Sequence, residues 1–290
     1  MKVSLGPTFL TPTNSWPLLR AMAERADAGP YYGFASLDRL AYDSYEPIAT
    51  LAAVAAITTR VRLMTAVLVS PLRNAGVLAK QAATVDAISG GRLTLGLAVG
   101  SRQDDSLVAP AGFHDRGRRF TAQLEEMRRI WAGELLEGAT YPVGPLPVQA
   151  GGPELILGGT ADRALDRVGR YANGYVMGGR ANDGEWVKGI MERVNAAWAA
   201  NHRSGKPRFV ATLPCAFGPG AEQQIDDAVA HYYGGRPGRG SERQVSQNPV
   251  SKEAVREMIA MHEELGTDEI VFRPALLDLA QVDQLTEAIS

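Results

Sequence analysis

The feature that most constrains this chain is a buried strand held between two glycine turns, residues 89–101 (SGGRLTLGLAVGS). An apolar helix ends at Gly90 and Gly91, an uninterrupted β-compatible run follows, and Gly100 and Ser101 open a polar segment. A strand that is apolar on both faces is typical of a parallel sheet covered by helices. The segment therefore predicts a parallel strand whose carboxyl end leads into a binding site.

The same strand and helix unit recurs along the chain. Besides residues 89–101, the predicted strands are residues 2–5, 33–37, 61–69, 155–157, 175–177, 209–217 and 269–272. Apolar stripes with helical spacing separate them, as in the segment that starts at Glu46 and Pro47. Eight such alternations in 290 residues favour a closed (β/α)8 TIM barrel over an open doubly wound sheet, in a single domain spanning residues 1–290. Residues 234–250, where glycine and proline cluster, are predicted to form a mobile loop or lid.

Composition excludes several classes of protein. The sequence contains 30 Lys and Arg residues and 32 Asp and Glu residues, which gives a net charge of −2. This balance argues against a binder of duplex nucleic acid. Cys215 is the only cysteine, which excludes an internal disulfide and argues against a thiolate metal site, so we predict no metal. No apolar window is long enough to span a membrane, and the first residues lack the apolar core of a signal peptide. We expect a cytoplasmic protein with no membrane partner.

Two consecutive predicted strands end in a pair of glycines, a polar residue and then a helix. The segments are Gly158-Gly159-Thr160 and Gly178-Gly179-Arg180. Glycine lets an anion approach the backbone, and the free N–H groups of a helix N-terminus favour negative charge. The pair is therefore a candidate phosphate cradle, with Arg180 as an additional cation, although glycines after strands also serve simply as turn formers.

Other catalytic motifs are absent from the sequence. It holds no His-Glu-x-x-His, no Gly-x-Ser-x-Gly, no Walker loop and no Gly-x-Gly-x-x-Gly. Of the four histidines, only His114 falls in a predicted strand-end loop, whereas His202 and His262 lie in helical stretches where a surface or capping role is expected. The carboxylate pair Asp104-Asp105 is interpreted as a loop or helix-cap feature, and residues 116–119 as a solvated face or an anion site.

These segments together resemble the bacterial luciferase-like monooxygenases and the deazaflavin-dependent reductases. The resemblance is carried by residues 86–100 with Asp104-Asp105, by 114–120, 65–74, 157–160 and 172–174, and by 266–271. It implies a TIM barrel that binds reduced FMN, or the related coenzyme F420, at the carboxyl-terminal mouth. It also implies a non-proline cis peptide bond that supports the cofactor ring and corresponds here to Ala66-Val67.

The resemblance further implies which residues bind the cofactor. Asp38, Gly100 and Ser101 correspond to ring contacts, and the two Gly-Gly segments to the phosphate region. The complete predicted cofactor-binding set is Asp38, Ala66, Val67, Gly100, Ser101, Gly158, Gly159, Thr160, Met177, Gly178, Gly179 and Arg180.

The chain departs from the family pattern at one position. Several family members place a catalytic histidine directly after the acidic residue that follows the second strand, and here Asp38 is followed by Arg39. A guanidinium stays protonated and cannot act as a general base at neutral pH. Arg39 is therefore expected to hold an anionic substrate or to stabilise developing negative charge. His114 is the substitute candidate for proton transfer, so the predicted catalytic residues are Arg39 and His114.

The sequence thus predicts a flavin-dependent oxidoreductase. The first hypothesis is a monooxygenase that uses reduced FMN and O2 on a small organic substrate, with a separate flavin reductase as partner. The second is hydride transfer with coenzyme F420 and no oxygen chemistry. The third is a non-catalytic flavin-binding relative. A homodimer is expected.

Overall fold

The computed structural model describes residues 1–7, 15–109, 111–233 and 248–290. The strands are β1 (Lys2–Leu5), β2 (Gly33–Ser36), β3 (Arg62–Thr65), β4 (Leu68–Val69), β5 (Leu93–Ala98), β6 (Glu154–Leu157), β7 (Gly174–Met177), β8 (Arg208–Cys215) and β9 (Glu269–Pro274). The helices are α1 (Trp16–Ala28), α2 (Pro47–Ile57), α3 (Ala75–Ser89), α4 (Gln103–Val108), α5 (Arg116–Trp131), α6 (Asp162–Tyr171), α7 (Gly184–Ala200), α8 (Ala221–Tyr233), α9 (Lys252–Leu265) and α10 (Leu279–Ile289).

All strand pairings are parallel. The strands pair one after another along the chain, and the sheet closes on itself because the first strand, β1, pairs with β2 on one side and with the last strand, β9, on the other. The nine strand segments form eight staves, since β3 and β4 are two parts of one stave and both pair with β5. The predicted (β/α)8 TIM barrel is therefore confirmed.

The predicted strand over residues 61–69 is interrupted where the chain bends towards β5. A Cβ on Gly96 would lie 1.9 Å from the Thr65 carbonyl oxygen, so only glycine permits this approach. The Thr65 hydroxyl also accepts a hydrogen bond from the Gly96 amide at 2.9 Å and donates one to the Gly96 carbonyl at 2.8 Å. The stave resumes as β4 beyond the peptide bond between Ala66 and Val67.

Side chains alternate between the two faces of each stave, as the pleat requires. One set packs against the surrounding helices and includes Phe34, Leu95 and Phe272. The other set fills the inside of the barrel and consists of Ala35, Met64, Ala66, Ile156, Val176, Val210 and Val271.

An ionic cluster closes the amino-terminal end of the barrel. Arg208 pairs with both Glu154 and Glu269, while Thr94 donates to Glu154 at 2.7 Å and Ser4 donates to Glu269 at 2.5 Å. Residues at this end of a TIM barrel serve stability, whereas binding sites lie at the opposite end.

Local sequence signals explain where the helices begin and end. The Glu46 side chain caps α2 by accepting from the Ala49 amide at 2.7 Å, and α3 ends at Gly90 in the left-handed conformation, with φ of 66°. Helix α4 lies in a segment that is predicted from the sequence to be a polar loop.

Of the predicted lid, residues 234–247 lie outside the described residues, and Pro249 accepts a hydrogen bond from the Ala216 amide at 3.2 Å. Among the described residues, no helix is long and apolar enough to cross a bilayer.

Candidate functional site

Small residues line the carboxyl-terminal mouth of the barrel. Continuing the inward alternation of seven of the eight staves, all except β2, leads to Gly6, Ala66, Ala98, Gly158, Gly178, Thr212 and Arg273, which we call the mouth ring. Contacts between neighbours support this placement, because a Cβ on Gly158 would lie 3.9 Å from that of Ala98 and a Cβ on Gly178 would lie 2.8 Å from the Thr212 hydroxyl. Five of the seven residues are glycine or alanine, so the ring leaves room for a flat ligand above the apolar interior.

Arg273 is the one charged member of the mouth ring. Its side chain is only 1% exposed, and it donates to the Ala66 carbonyl at 2.8 Å and to the Pro7 carbonyl at 3.4 Å. Gly6 makes room for it, since a Cβ there would lie 2.7 Å from Nη1 of the guanidinium. Burial lowers the pKa of Arg273 to about 10, so the group is still a cation at neutral pH.

The peptide bond between Ala66 and Val67 is cis, which confirms the expectation drawn from the resemblance. Ala66 is held by two other strands: its amide donates to the Ser36 carbonyl of β2 at 2.7 Å, and Arg273 of β9 donates to its carbonyl at 2.8 Å. Ala66 is buried and Val67 packs against the apolar interior of the barrel.

Asp38 is buried, contacts β4 and is paired with Arg73. Its carboxylate accepts from Arg73 at 2.6 and 3.1 Å and from the Val69 amide at 2.8 Å. Arg73 in turn reaches Glu46 at 2.9 Å. Burial raises the pKa of Asp38 above its ordinary value, and the hydrogen bonds from Arg73 oppose that rise. Asp38 thus joins the β2 loop to β4, and sequence reasoning missed its partner Arg73.

Gly100 and Ser101 follow β5 and lie next to β4. Gly100 has φ of 73°, and a Cβ there would lie 2.5 Å from Cγ1 of Val69, so the loop packs directly on β4. Arg116 donates to the Gly100 carbonyl at 3.1 Å and to the Phe113 carbonyl at 2.7 Å. Arg116 therefore orders this loop, while Ser101 is exposed.

Arg39 lies at the same mouth, and its guanidinium contacts backbone, carboxylate and aromatic groups. It donates to the Tyr232 carbonyl at 2.7 Å and to Asp104 at 3.2 Å. It also lies over the rings of Tyr42 and Tyr232, at 4.6 and 5.3 Å from their centroids. Arg102 donates to the same Tyr232 carbonyl at 3.1 Å. Two arginines thus hold the carboxyl-terminal end of α8, where the helix dipole is negative, against the loops after β2 and β5.

The carboxylate pair after β5 contacts the β2 loop. The hydrogen bond from Arg102 lowers the pKa of Asp104 to about 2, and the Arg39 contact adds to this effect. Asp105, by contrast, is buried and accepts from the Ala41 amide at 2.8 Å. Both carboxylates therefore join α4 to the β2 loop. The cavity left between Arg39, Tyr42, Tyr45 and Tyr232 has a volume of about 30 Å³, enough for one or two water molecules.

His114, the second predicted catalytic residue, lies apart from this arrangement. Its side chain is exposed, and its ring makes an edge contact with Phe113 at 5.9 Å. His262, for which a surface or capping role is expected, is fully buried: Nε2 donates to the Ala181 carbonyl and Nδ1 accepts from Thr267, each at 2.9 Å. Burial lowers its pKa to about 4, so this histidine is neutral and structural.

The two Gly-Gly segments follow adjacent strands β6 and β7. Gly159 has φ of 127° and Gly179 has φ of 72°, values that side chains rarely adopt. Among the described residues, no atom lies within 4 Å of a Cβ placed on Gly179. Arg180 is half-exposed and paired with Asp183 at 2.6 Å.

A cation that sequence reasoning missed lies at the first of these segments. Arg193 of α7 donates to the Thr160 carbonyl at 2.9 Å and to Asp162 at 2.8 Å. It comes from the exposed face of a long helix, where the sequence shows nothing to distinguish it from other surface arginines. Arg193 places a positive charge at the start of α6, beside the backbone of Thr160.

Met177 and Asn173 have clear structural surroundings. The Met177 side chain is buried in the layer between barrel and helices, so a cofactor contact from this residue would have to come from its backbone. Asn173 accepts from the Leu155 amide at 2.9 Å and joins β6 to β7.

Comparison with known proteins adds the family context. An uncharacterised protein of Mycobacterium tuberculosis is 31% identical over 202 residues, 65% of this chain and 68% of that protein. The FMNH(2)-dependent dimethylsulfone monooxygenase of Pseudomonas fluorescens is 28% identical over 172 residues, 56% of this chain and 46% of that enzyme.

Two solved structures share the fold. The monooxygenase RslO1 from Streptomyces bottropensis superposes with a TM-score of 0.82 at 20% identity, covering 100% of this chain and 97% of its own. An F420-dependent secondary alcohol dehydrogenase, solved with an F420-acetone adduct, gives a TM-score of 0.80 at 14% identity, covering 99% and 97%. The sequence profile described as luciferase-like monooxygenase matches residues 4–290. Because that match covers nearly the whole chain, the protein belongs to the luciferase-like monooxygenase family of oxidoreductases.

Proposed function

We propose that this protein is a flavin-dependent monooxygenase that uses reduced FMN and O2 on a small organic substrate. The observation that carries the proposal is the mouth ring of small residues, which includes Gly158 and Gly178 of the two Gly-Gly segments, together with the buried Asp38–Arg73 pair. A dimethylsulfone monooxygenase that depends on FMNH2 is among the relatives, which supports the choice of FMN.

The residues at the mouth fit a flavin. Glycine and alanine leave space for a flat ring system over the barrel, and the backbone of the two Gly-Gly segments together with Arg193 suits a phosphate. Bound flavin would supply the redox chemistry. The protein would hold the ring between the cis peptide at Ala66 and the Gly100 loop.

The other residues of the mouth would orient the substrate and exclude water. The contact of Arg39 and Arg102 with Tyr232 closes the side of the mouth next to α8, and water exclusion strengthens the electrostatic interactions within. The Arg39 guanidinium lies on that side together with the aromatic rings of Tyr42 and Tyr232. Catalytic roles for Arg39 and His114 stay predictions, and the exposure of His114 makes it the weaker of the two.

The second candidate is hydride transfer with coenzyme F420. The half-exposed Arg180 and Arg193 beside the Gly-Gly segments favour it, because the acidic tail of that coenzyme extends beyond the phosphate. The third candidate is a flavin-binding protein without catalysis.

We also propose the partners that this function requires. A monooxygenase of this kind needs a separate reductase to supply reduced FMN. A homodimer is proposed as well, because α2 carries no charged side chain and its outer residues Ala49 and Ala56 are exposed. Light scattering coupled to size exclusion measures the oligomeric state directly.

Binding titrations separate the first two candidates. Anaerobic fluorescence titration with reduced FMN and with reduced F420 is expected to show tighter binding of FMN. Tighter binding of F420 would replace the first candidate by the second. For a monooxygenase, a panel of small organic sulfur and carbonyl compounds should contain one that raises oxygen consumption above the free-flavin background, and failure of every compound would favour the third candidate.

A further inference from the structure

We propose that Arg273 is the cation that makes this site bind reduced, anionic flavin more tightly than oxidised, neutral flavin. The inference rests on the proposed function and assigns within it a residue that selects the oxidation state of the cofactor. It starts from the position of Arg273 in the mouth ring, where it is the only charged side chain.

The surroundings of Arg273 hold its charge in the mouth. Val271 faces the barrel interior two residues earlier on β9, so Arg273 points inward as well. Gly6 leaves the space that the guanidinium occupies, and the Ala66 carbonyl fixes one end of it at 2.8 Å. Arg273 therefore meets the backbone of the cis peptide at Ala66-Val67, which is the predicted support of the flavin ring.

Burial gives this charge a large effect. Arg273 is 1% exposed, so solvent screens it poorly and an anion entering the mouth would interact with it strongly. The lowered pKa of about 10 reflects the cost of keeping the cation away from water, and an anionic ligand would offset part of that cost. Reduced flavin carries a negative charge on its pyrimidine ring at neutral pH, whereas the ring system of oxidised flavin is neutral. The cation should thus favour the reduced form.

Arg193 provides a matched control. It is also an arginine near the proposed cofactor, but it contacts the Thr160 and Asp162 segment at the phosphate end. Because both oxidation states carry the same phosphate, loss of Arg193 should weaken both to the same extent. Only loss of Arg273 should change the ratio of the two affinities.

The experiment measures the Kd of oxidised and of reduced FMN under anaerobic conditions. The proteins are the wild type, R273M, R273Q, R273K and R193M, each first checked for folding by circular dichroism. In the wild type, reduced FMN should bind at least about tenfold more tightly than oxidised FMN, the size of effect expected for a hydrogen bond to a charged group. R273M or R273Q should abolish this preference and R273K should retain it.

If the neutral variants do not fold, the wild type can still overturn the inference. Equal affinities for the two forms in the wild type would overturn the inference, as would a preference that survives in a folded R273M or R273Q. A wild-type protein that binds FMN in neither form would refute the proposed cofactor and this inference with it, whereas equal binding of both forms refutes the inference alone.

Discussion

The pair formed by Asp38 and Arg73 allows the most demanding test of how the mouth is built. The Asp38 side chain is 3% exposed and that of Arg73 is 15% exposed, and three hydrogen bonds end on the carboxylate. Replacing Arg73 by methionine leaves Asp38 with only the Val69 amide among these donors. A buried charge stranded in this way costs about 3–5 kcal/mol of unfolding free energy.

Replacing Asp38 instead of Arg73 should cost less free energy of unfolding. Asp38→Asn leaves no buried anion, and Arg73 keeps Glu46 at 2.9 Å, so the expected loss is about 1–3 kcal/mol. In the double variant neither charge is stranded, so its cost should fall below the sum of the single costs by about 2 kcal/mol or more.

The pH dependence gives an independent check with a definite sign. Burial raises the pKa of Asp38 in the folded protein, and removal of Arg73 should raise it further above the unfolded value of about 3.9. Stability contributed by a raised carboxyl pKa is present at low pH and lost as the pH rises through that pKa. The loss of unfolding free energy in R73M relative to the wild type should therefore be smaller at pH 5 than at pH 8.

Urea unfolding followed by circular dichroism measures these differences. Arg129, which pairs with Glu134 at 2.7 Å on the open surface, is the matched control, and R129M should leave the urea midpoint unchanged. The reasoning would be refuted if the losses of unfolding free energy in R73M and D38N added up to that of the double variant. It would also be refuted if the loss in R73M were below about 1 kcal/mol and independent of pH.

Three further predictions concern the cofactor loops, the closure of the mouth and the core. Gly179→Asp should weaken FMN binding at least about tenfold in a fluorescence titration, because it places a carboxylate beside the proposed phosphate. Gly179→Asn should bind nearly normally, and equal effects of the two substitutions would point to backbone strain instead. Arg39→Met should increase iodide quenching of bound flavin fluorescence, since the contact with the Tyr232 carbonyl is lost, and Arg39→Lys should partly restore the protection; unchanged quenching would remove Arg39 from the closure. His262 is neutral in the folded protein with a pKa of about 4, so the free energy of unfolding should fall as the pH drops from 7.5 to 5. The fall should be about 2 kcal/mol larger in the wild type than in His262→Gln, and an equal pH dependence of urea unfolding in the two proteins would contradict this.

Sequence patterns predicted the barrel because its signals are local. The apolar run of β5, the stripe of α2 and the glycines that end α3 each lie within a few residues of one another, and alternation of such units leaves few possible folds. The Gly-Gly segments were found for the same reason, as was the position of the cis peptide through the family resemblance.

The roles of the charged residues required the tertiary structure. Arg39 reaches a carbonyl 193 residues away, Arg273 one that is 207 residues away, and Arg73 a carboxylate 35 residues away. In the sequence nothing distinguishes Arg73 from Arg129 on the surface, and Arg39 stands out only through the family resemblance. Closure of the barrel decides which of them become buried, and burial decides how strongly a charge acts.

By itself, then, the sequence determined that this chain forms a luciferase-like (β/α)8 barrel with glycine-rich loops at its mouth. Tertiary structure alone decided that Asp38 is held by Arg73, that Arg39 contacts the end of α8, and that Arg273 is the single charge of the mouth ring. The physical reason is range: backbone conformation and helix ends follow from neighbouring residues, whereas the environment of a charge follows from every element packed around it.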